Sequence, residues 1–202
     1  MTTTDSGRPG RRALPRLRRA FVPLLLLLLL LAAPAAALDT IWLVRHAEKV
    51  EDTDTNKWPF QDALRPLTPE GNRRAEALAI RLKDAGIAAV YTSRTTRTLS
   101  TALPLVLSAP GIRLIPDDDT IAKDKQADFL AWLRKTHAGD RAILIVGHSN
   151  TIPVLLEKLG AKPDCYERLG LKQTPQGLMI EGYEGLWKMD TKKSGCEGIT
   201  RE

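Results

Sequence analysis

From Leu38 onward, short apolar runs alternate with stretches whose apolar residues recur at helical spacing. Ile41-Trp42-Leu43-Val44 is one run and Ile143-Leu144-Ile145-Val146 another, each ending abruptly in polar residues. Such runs read as buried strands. The pattern predicts strands over Leu38–Val44, Ile87–Tyr91, Ile112–Ile115 and Arg141–Val146. Between them, Thr68-Pro69-Glu70 offers a cap, a proline at the first helical position and an acid in the first turn. Ala75, Leu78, Ala79 and Leu82 follow at helical spacing, and Gly86 is a stop. A second helix runs through Leu99, Ala102, Leu103 and Val106, with Pro104 expected to kink or shorten it. Phe129, Trp132 and Leu133 mark a third, with the aromatic stripe facing the core. Ile152-Pro153 opens a fourth. Leu178–Ile180 and Leu186–Met189 predict a terminal hairpin. Strands alternating with helices imply an α/β fold, three-layer αβα with a mainly parallel central sheet, in a single domain over 38–202.

The first 37 residues have a different pattern. Six arginines precede an unbroken leucine run, Leu24–Leu31, and Ala35-Ala36-Ala37 supplies small residues for cleavage. This layout predicts a secretory signal peptide over 1–37 and an exported product, periplasmic or secreted. The competing expectation is an uncleaved membrane anchor, since 18 uncharged residues run from Ala20 to Ala37.

The leader also changes the charge picture. The whole chain of 202 residues has a formal net charge of +6, but removing 1–37 leaves 24 basic and 23 acidic residues. The basic balance therefore gives no argument for a nucleic-acid partner. Positive potential must be local. Two cysteines remain, Cys165 and Cys196. In an exported protein they form either a disulfide tying down the C-terminal tail or two free thiols; spacing alone leaves both open.

Candidate chemistry falls at the ends of the two strongest strands. In open α/β sheets, ligands bind beyond the carboxyl ends of the strands. Arg45, His46 and Glu48 follow the first run; Gly147, His148, Ser149 and Asn150 follow the other. Two of the chain's three histidines thus occupy equivalent places and read as one site. Histidine is a nucleophile when one ring nitrogen is unprotonated and the other is held by a hydrogen bond. Arginine clamps a phosphoryl group because its planar fork stays charged and binds bidentately. Arg97 begins the helix after the second strand, where backbone donors also favour an anion. The third histidine, His137, lies near a helix end and is expected to be exposed. Glu48 is expected to orient the site or pair with an arginine, and Arg94 to sit at the rim. The long polar stretch Lys49–Leu67, with Trp58-Pro59-Phe60, is either a wall of the pocket or a solvated loop with one aromatic corner.

Leu-Val-Arg-His-Ala-Glu, then Tyr-Thr-Ser-Arg-x-x-Arg-Thr-x-x-Thr-Ala, then Val-Gly-His-Ser-Asn resembles the histidine phosphatase superfamily, with its phosphoglycerate mutase-like fold. The resemblance covers Ile41 to about Gly160. It implies that His46 is the phosphorylated histidine, that Arg45 and Arg97 bind phosphate, and that His148 contacts the phosphate and steadies the transition state. Ser149 and Asn150 amides would line the same pocket. The implied activity is hydrolysis of phosphomonoesters or phosphoramidates through a phosphohistidine, with no cofactor and no metal. The partner would be a small phosphorylated substrate or a phosphorylated envelope component, with the membrane involved only through an uncleaved leader.

The sequence departs from that family in its general acid. No Glu lies between Glu76 and Glu157, and Ser149 stands where acid-phosphatase relatives carry Asp. Asp117, Asp118 and Asp119 are the remaining candidates, or else form an acidic turn. Three other readings stay open: a phosphate-ligand binder with little or no turnover, a mutase-type phosphotransferase, and a metal-dependent hydrolase using the histidines and aspartates.

Overall fold

The computed structural model describes residues 37–202, together with residue 2. The expected leader, but for residues 2 and 37, lies outside the described residues. Among the described residues no helix is long and apolar enough to cross a membrane.

Among the described residues, eight strands form in chain order: β1 (Thr40–Arg45), β2 (Ile87–Thr92), β3 (Arg113–Pro116), β4 (Ala142–Gly147), β5 (Leu171–Thr174), β6 (Gly177–Ile180), β7 (Leu186–Asp190) and β8 (Ile199–Arg201). The helices are α1 (Pro69–Leu82), α2 (Thr96–Ser108), α3 (Gln126–Thr136), α4 (Ile152–Lys158) and α5 (Tyr166–Leu169). Six strands make one sheet in the order β3-β2-β4-β1-β7-β8. The first four run parallel; β7 pairs antiparallel with β1, and β8 pairs antiparallel with β7.

The apolar runs are buried on both faces because their alternate residues serve two cores. Ile41, Leu43, Ile143 and Ile145 pack with α3 and α4 through Phe129, Leu130, Leu133, Ile152 and Leu155. Trp42, Val44, Leu144 and Val146 pack with α1 and α2 through Leu78, Leu82, Ala102 and Leu105. This is the expected three-layer αβα arrangement. Thr68 caps α1 by accepting from the Gly71 amide at 3.0 Å, and Pro69 occupies its first turn. α2 runs through Pro104 to Ser108, so the proline does not end it.

Several expectations need correction. Leu178–Ile180 and Leu186–Met189 do not pair. β6 pairs with β5 in a separate two-stranded sheet, while β7 lies against β1, with Trp42 opposite Lys188. The reason is burial: Leu186, Trp187 and Met189 are all covered, which suits a strand inside the large sheet better than a surface hairpin. Trp132 is 46% exposed rather than core; it stacks on Phe129 and meets the Tyr91 ring edge-on. His137, expected at the surface, is fully buried at 0% exposure, held by Tyr91 and Asp140. Cys165 and Cys196 are joined in a disulfide, with their Cα atoms 6.0 Å apart.

The sheet register places the candidate residues. Arg45 pairs with Gly147 across β1 and β4, and Thr92 pairs with Val146 across β2 and β4. His46 and His148 are each one residue beyond those partners, so they leave the sheet side by side. A Cβ at Gly147 would stand 2.8 Å from the tip of the Ile152 side chain, which would have to move aside. Gly71 is required, since a Cβ there would lie 2.3 Å from the fixed Glu48 carbonyl oxygen. That close approach packs the start of α1 onto the turn after His46, where the Thr68 amide donates to Glu48 O at 2.8 Å.

Candidate active site

A cavity of about 490 Å³ opens at the carboxyl ends of β1 and β4. Arg45, His46, Lys49, Arg97 and His148 line it, with Ser149 and Asn150 beside them. Ile121 and Met179 supply apolar wall.

His46 is 3% exposed. Its Nδ1 lies 2.7 Å from the Ala47 carbonyl oxygen. A carbonyl only accepts, so Nδ1 carries the proton and Nε2 keeps its lone pair. Burial, aided by His148, Arg97 and Arg45, lowers the His46 pKa to about 3, against the carbonyl bond that favours the cation. Neutral histidine is therefore the resting form. Its position is held from two sides: the His46 amide donates to Gly147 O at 2.9 Å, and the Ala47 amide to Thr101 Oγ1 on α2 at 2.9 Å.

His148 meets His46 edge-on with ring centroids 5.1 Å apart. Burial, then the charges of Arg97 and Arg45, lower its pKa to about 4. Its Nε2 lies 3.0 Å from Ser93 Oγ, and Ser93 Oγ lies 3.1 Å from Thr98 Oγ1. Thr151 Oγ1 accepts from the His148 amide at 2.9 Å. The Thr-Ser-Arg-x-x-Arg-Thr stretch thus does two jobs: it places Arg97 and its hydroxyls orient the second histidine.

The two arginines share a pattern. Arg45 donates through Nη1 to Gly182 O at 2.8 Å and lies over the Tyr183 ring, 4.0 Å from its centroid. Arg97 donates through Nη1 to Asp62 O at 2.8 Å and pairs with the Asp62 carboxylate at 3.1 Å. Each keeps a buried Nε with no hydrogen-bond partner. Buried unpaired donors are uncommon and costly. Both arginines line the one cavity, and their positive charge favours an anion there.

Other expected residues have different partners. Glu48 pairs with Arg74 at 2.7 Å; burial pushes its carboxyl up, but the Arg74 hydrogen bond, its own backbone amide and the charges of Arg74 and Arg45 together hold it below the usual range. Arg94 is exposed and pairs with Asp118 at 3.5 Å. Asp117 accepts from the Asp119 amide at 2.9 Å, Asp118 from the Arg94 amide at 3.1 Å, and Asp119 pairs with Lys125 at 3.4 Å. None of the three aspartates lines the cavity, and the acidic-turn reading describes them. Among the described residues, the one group of three metal-capable side chains with close ligand atoms is Asp164, Cys165 and Cys196, and its sulfurs are bonded to each other.

Sequence reasoning missed Lys49, Asp62, Ser93, Thr95, Ile121, Met179 and the Gly182-Tyr183 turn. Ser93 and Thr95 stood inside a recognised motif, and their hydroxyls were the available signal. Asp62 and Gly182 reach the site through loops whose paths no local pattern encodes.

The fold and the site together define an α/β protein with a neutral histidine in one cavity with two arginines and a lysine. The family model of the histidine phosphatase superfamily (branch 1) matches residues 41–120. The match is to this stretch alone, and the likeness to solved structures is one of fold. Among solved structures, a protein assigned as the phosphohistidine phosphatase SixA from Agrobacterium tumefaciens is similar at 20% identity and a TM-score of 0.56, covering 76% of this chain and 92% of that one. The protein histidine phosphatase SixA complexed with tungstate is similar at 17% identity and a TM-score of 0.52, covering 81% and 94%. A mycobacterial glucosyl-3-phosphoglycerate phosphatase in complex with VO3 is similar at 15% and 0.50, covering 81% and 96%. Among curated proteins, none matches the chain.

Proposed function

We propose that the protein is an exported, metal-independent phosphatase that hydrolyses phosphomonoesters or phosphoramidates through a phosphohistidine on His46. The observation that carries this reading is the unprotonated Nε2 of His46 in one cavity with two arginines whose buried Nε atoms lack partners. Nε2 attacks phosphorus while Arg45 and Arg97 hold the equatorial oxygens, and His148 donates as charge builds on them. The bond from phosphorus to the leaving atom breaks as the bond to Nε2 forms. Water then attacks the phosphohistidine, releasing phosphate and restoring His46.

Among the described residues, no carboxylate lines the cavity to protonate a departing alkoxide. The site therefore favours leaving groups that depart without such help: aryl oxides, or the nitrogen of a phosphoramidate, which protonates readily. The neighbours named as phosphohistidine phosphatases are in line with that preference. Export is supported by the leader pattern and by the Cys165–Cys196 disulfide, a bond that persists in oxidising compartments. The substrate is then a small phosphorylated compound or a phosphorylated envelope component. The missing carboxylate also favours a second reading, a phosphate-ligand binder with little turnover.

Acid-quenched mass spectrometry after brief exposure to an aryl phosphate, with EDTA present, tests the proposal. The expected result is phosphate on His46. Turnover that EDTA abolishes would overturn metal independence. Phosphate binding with neither adduct nor turnover, in the wild type and in a His148→Ala trap, would favour the binder.

A further inference from the structure

The Lys49–Leu67 stretch is less loose than its composition suggests. Its ends are joined by a bridge between Lys49 and Leu67, and the Val50 amide donates to Pro66 O at 2.9 Å. Arg65 ties the interior together, donating to Val50 O at 3.1 Å and pairing with Asp52 at 2.9 Å. On this base a single 3-10 turn, Asp62–Leu64, brings one carboxylate into the middle of three cations. Asp62 lies 2.9 Å from Lys49, 2.9 Å from Arg65 and 3.1 Å from Arg97. Its own main-chain oxygen also accepts from Arg97 Nη1.

Two of those cations, Lys49 and Arg97, line the cavity, whereas Asp62 does not. The carboxylate therefore grips them from outside the space a phosphoryl group would fill. The grip uses Nη1 of Arg97 and leaves the buried Nε unpartnered. A guanidinium held by one nitrogen presents its remaining edge in a fixed direction. Ordering that would otherwise be lost on binding is already in place. The hydrogen bond from Lys49, aided by the charges of Arg97 and Arg65, holds the Asp62 carboxyl below its usual range against its partial burial.

Resting on the reading of this cavity as a phosphoryl site, we propose that Asp62 is a positioning residue that pre-sets Arg97 and Lys49 for the phosphoryl group and so makes the Lys49–Leu67 loop a working part of the site. Asp62 touches neither the phosphoryl group nor the leaving group. Its effect falls on binding more than on the chemical step, because a bound phosphoryl dianion itself recruits Arg97 once in place.

The test compares wild type with Asp62→Ala and Asp62→Asn, with inorganic phosphate as competitive inhibitor and p-nitrophenyl phosphate as substrate. Asp62→Ala should raise both the phosphate Ki and the KM by about tenfold, with a smaller fall in kcat. Asp62→Asn keeps a side-chain oxygen acceptor and the main-chain carbonyl, and should fall between the two. Unchanged Ki and KM in Asp62→Ala would overturn the proposal. Tighter phosphate binding would overturn it as well, by making the carboxylate a competitor of phosphate. A second readout is independent of activity. The Nε–H NMR resonance of Arg97, assigned by its loss in Arg97→Lys, should report an ordered side chain in wild type and an averaged one in Asp62→Ala. If the wild type neither binds phosphate nor turns over substrate, the phosphatase reading fails by itself. The resonance then decides the positioning claim: equal order in both proteins sinks it.

Discussion

The three histidines fall into two clusters that share a residue type and differ in chemistry. His137 sits at the end of α3 with both ring nitrogens occupied, Nε2 by the Tyr91 hydroxyl at 2.7 Å and Nδ1 by Asp140 at 2.6 Å. Its ring also meets the Tyr91 ring edge-on, and burial raises the Tyr91 hydroxyl above its ordinary pKa. Every polar atom of the imidazole has a protein partner, so the cluster has nothing left to offer a ligand. His46 has one ring nitrogen held by a main-chain carbonyl and the other left with its lone pair, beside a cavity and two cations. Burial alone does not make a histidine functional. A buried lone pair facing open space and positive charge does. Asp140 and Arg97 mark the two outcomes: a carboxylate completes a structural network, and a guanidinium prepares for an anion.

His46→Ala should show the contrast at its widest. Turnover of an aryl phosphate should fall on the order of 10⁴-fold or more, with the thermal midpoint nearly unchanged. Retention of wild-type turnover would remove His46 as the nucleophile. Arg97→Ala should cost roughly 10²–10³ in kcat/KM, the range for losing one donor to developing charge. A loss of folding without a specific kinetic defect would place Arg97 with the structural cluster instead.

His137→Ala should invert the pattern. It opens a cavity and strips Tyr91 and Asp140 of their partner, so unfolding free energy should drop by about 2–3 kcal/mol. Turnover per folded molecule should stay at the wild-type value; urea unfolding and active-site titration together measure both. A kinetic defect with full stability would erase the distinction between the clusters. Ser93→Ala, which leaves His148 Nε2 without its 3.0 Å partner, should have a milder effect, under tenfold in kcat.

The smallest effect is on pH. Free imidazole takes up a proton near 6.5. His46 and His148 stay neutral in the fold down to about 3 and about 4. Below pH 6.5 the unfolded chain therefore binds protons at these residues that the folded chain refuses. Their linked stability is present in full above pH 6.5 and is lost as pH falls through that window. Imidazole NMR signals of both residues should not titrate between pH 7.5 and 5.5, while the urea midpoint declines. Ordinary titration near 6.5 would show that the pocket is wetter than its burial implies.

The strands that carry the chemistry were readable because their apolar runs are continuous, and the two cores between them draw on every residue, one core taking the odd positions and the other the even. The arginines and histidines were readable because they stand immediately beyond those runs. His137 was misread because its partner Tyr91 is 46 residues away, and nothing in Lys-Thr-His-Ala-Gly signals a buried hydrogen bond. The expected hairpin failed for a similar reason. Leu178–Ile180 and Leu186–Met189 both have strand-like patterns, but pattern does not name a partner. β1 had an open edge that the apolar side chains of β7 could cover.

Asp62 and Gly182 are a further case. Each reaches an arginine of the site from a distant stretch, across 35 residues for Arg97 and 137 for Arg45. What the sequence alone determined was local: where strands and helices begin, which residues stand at strand ends, and which types can attack or clamp a phosphoryl group. Periodicity, capping and side-chain chemistry depend on near neighbours, so they are written locally. Only the tertiary structure decided which strands lie together, which histidine keeps a free lone pair, and which loops hold the arginines. Those outcomes depend on register, burial and hydrogen-bond partners drawn from across the chain, and the packed fold alone brings them within a few ångströms.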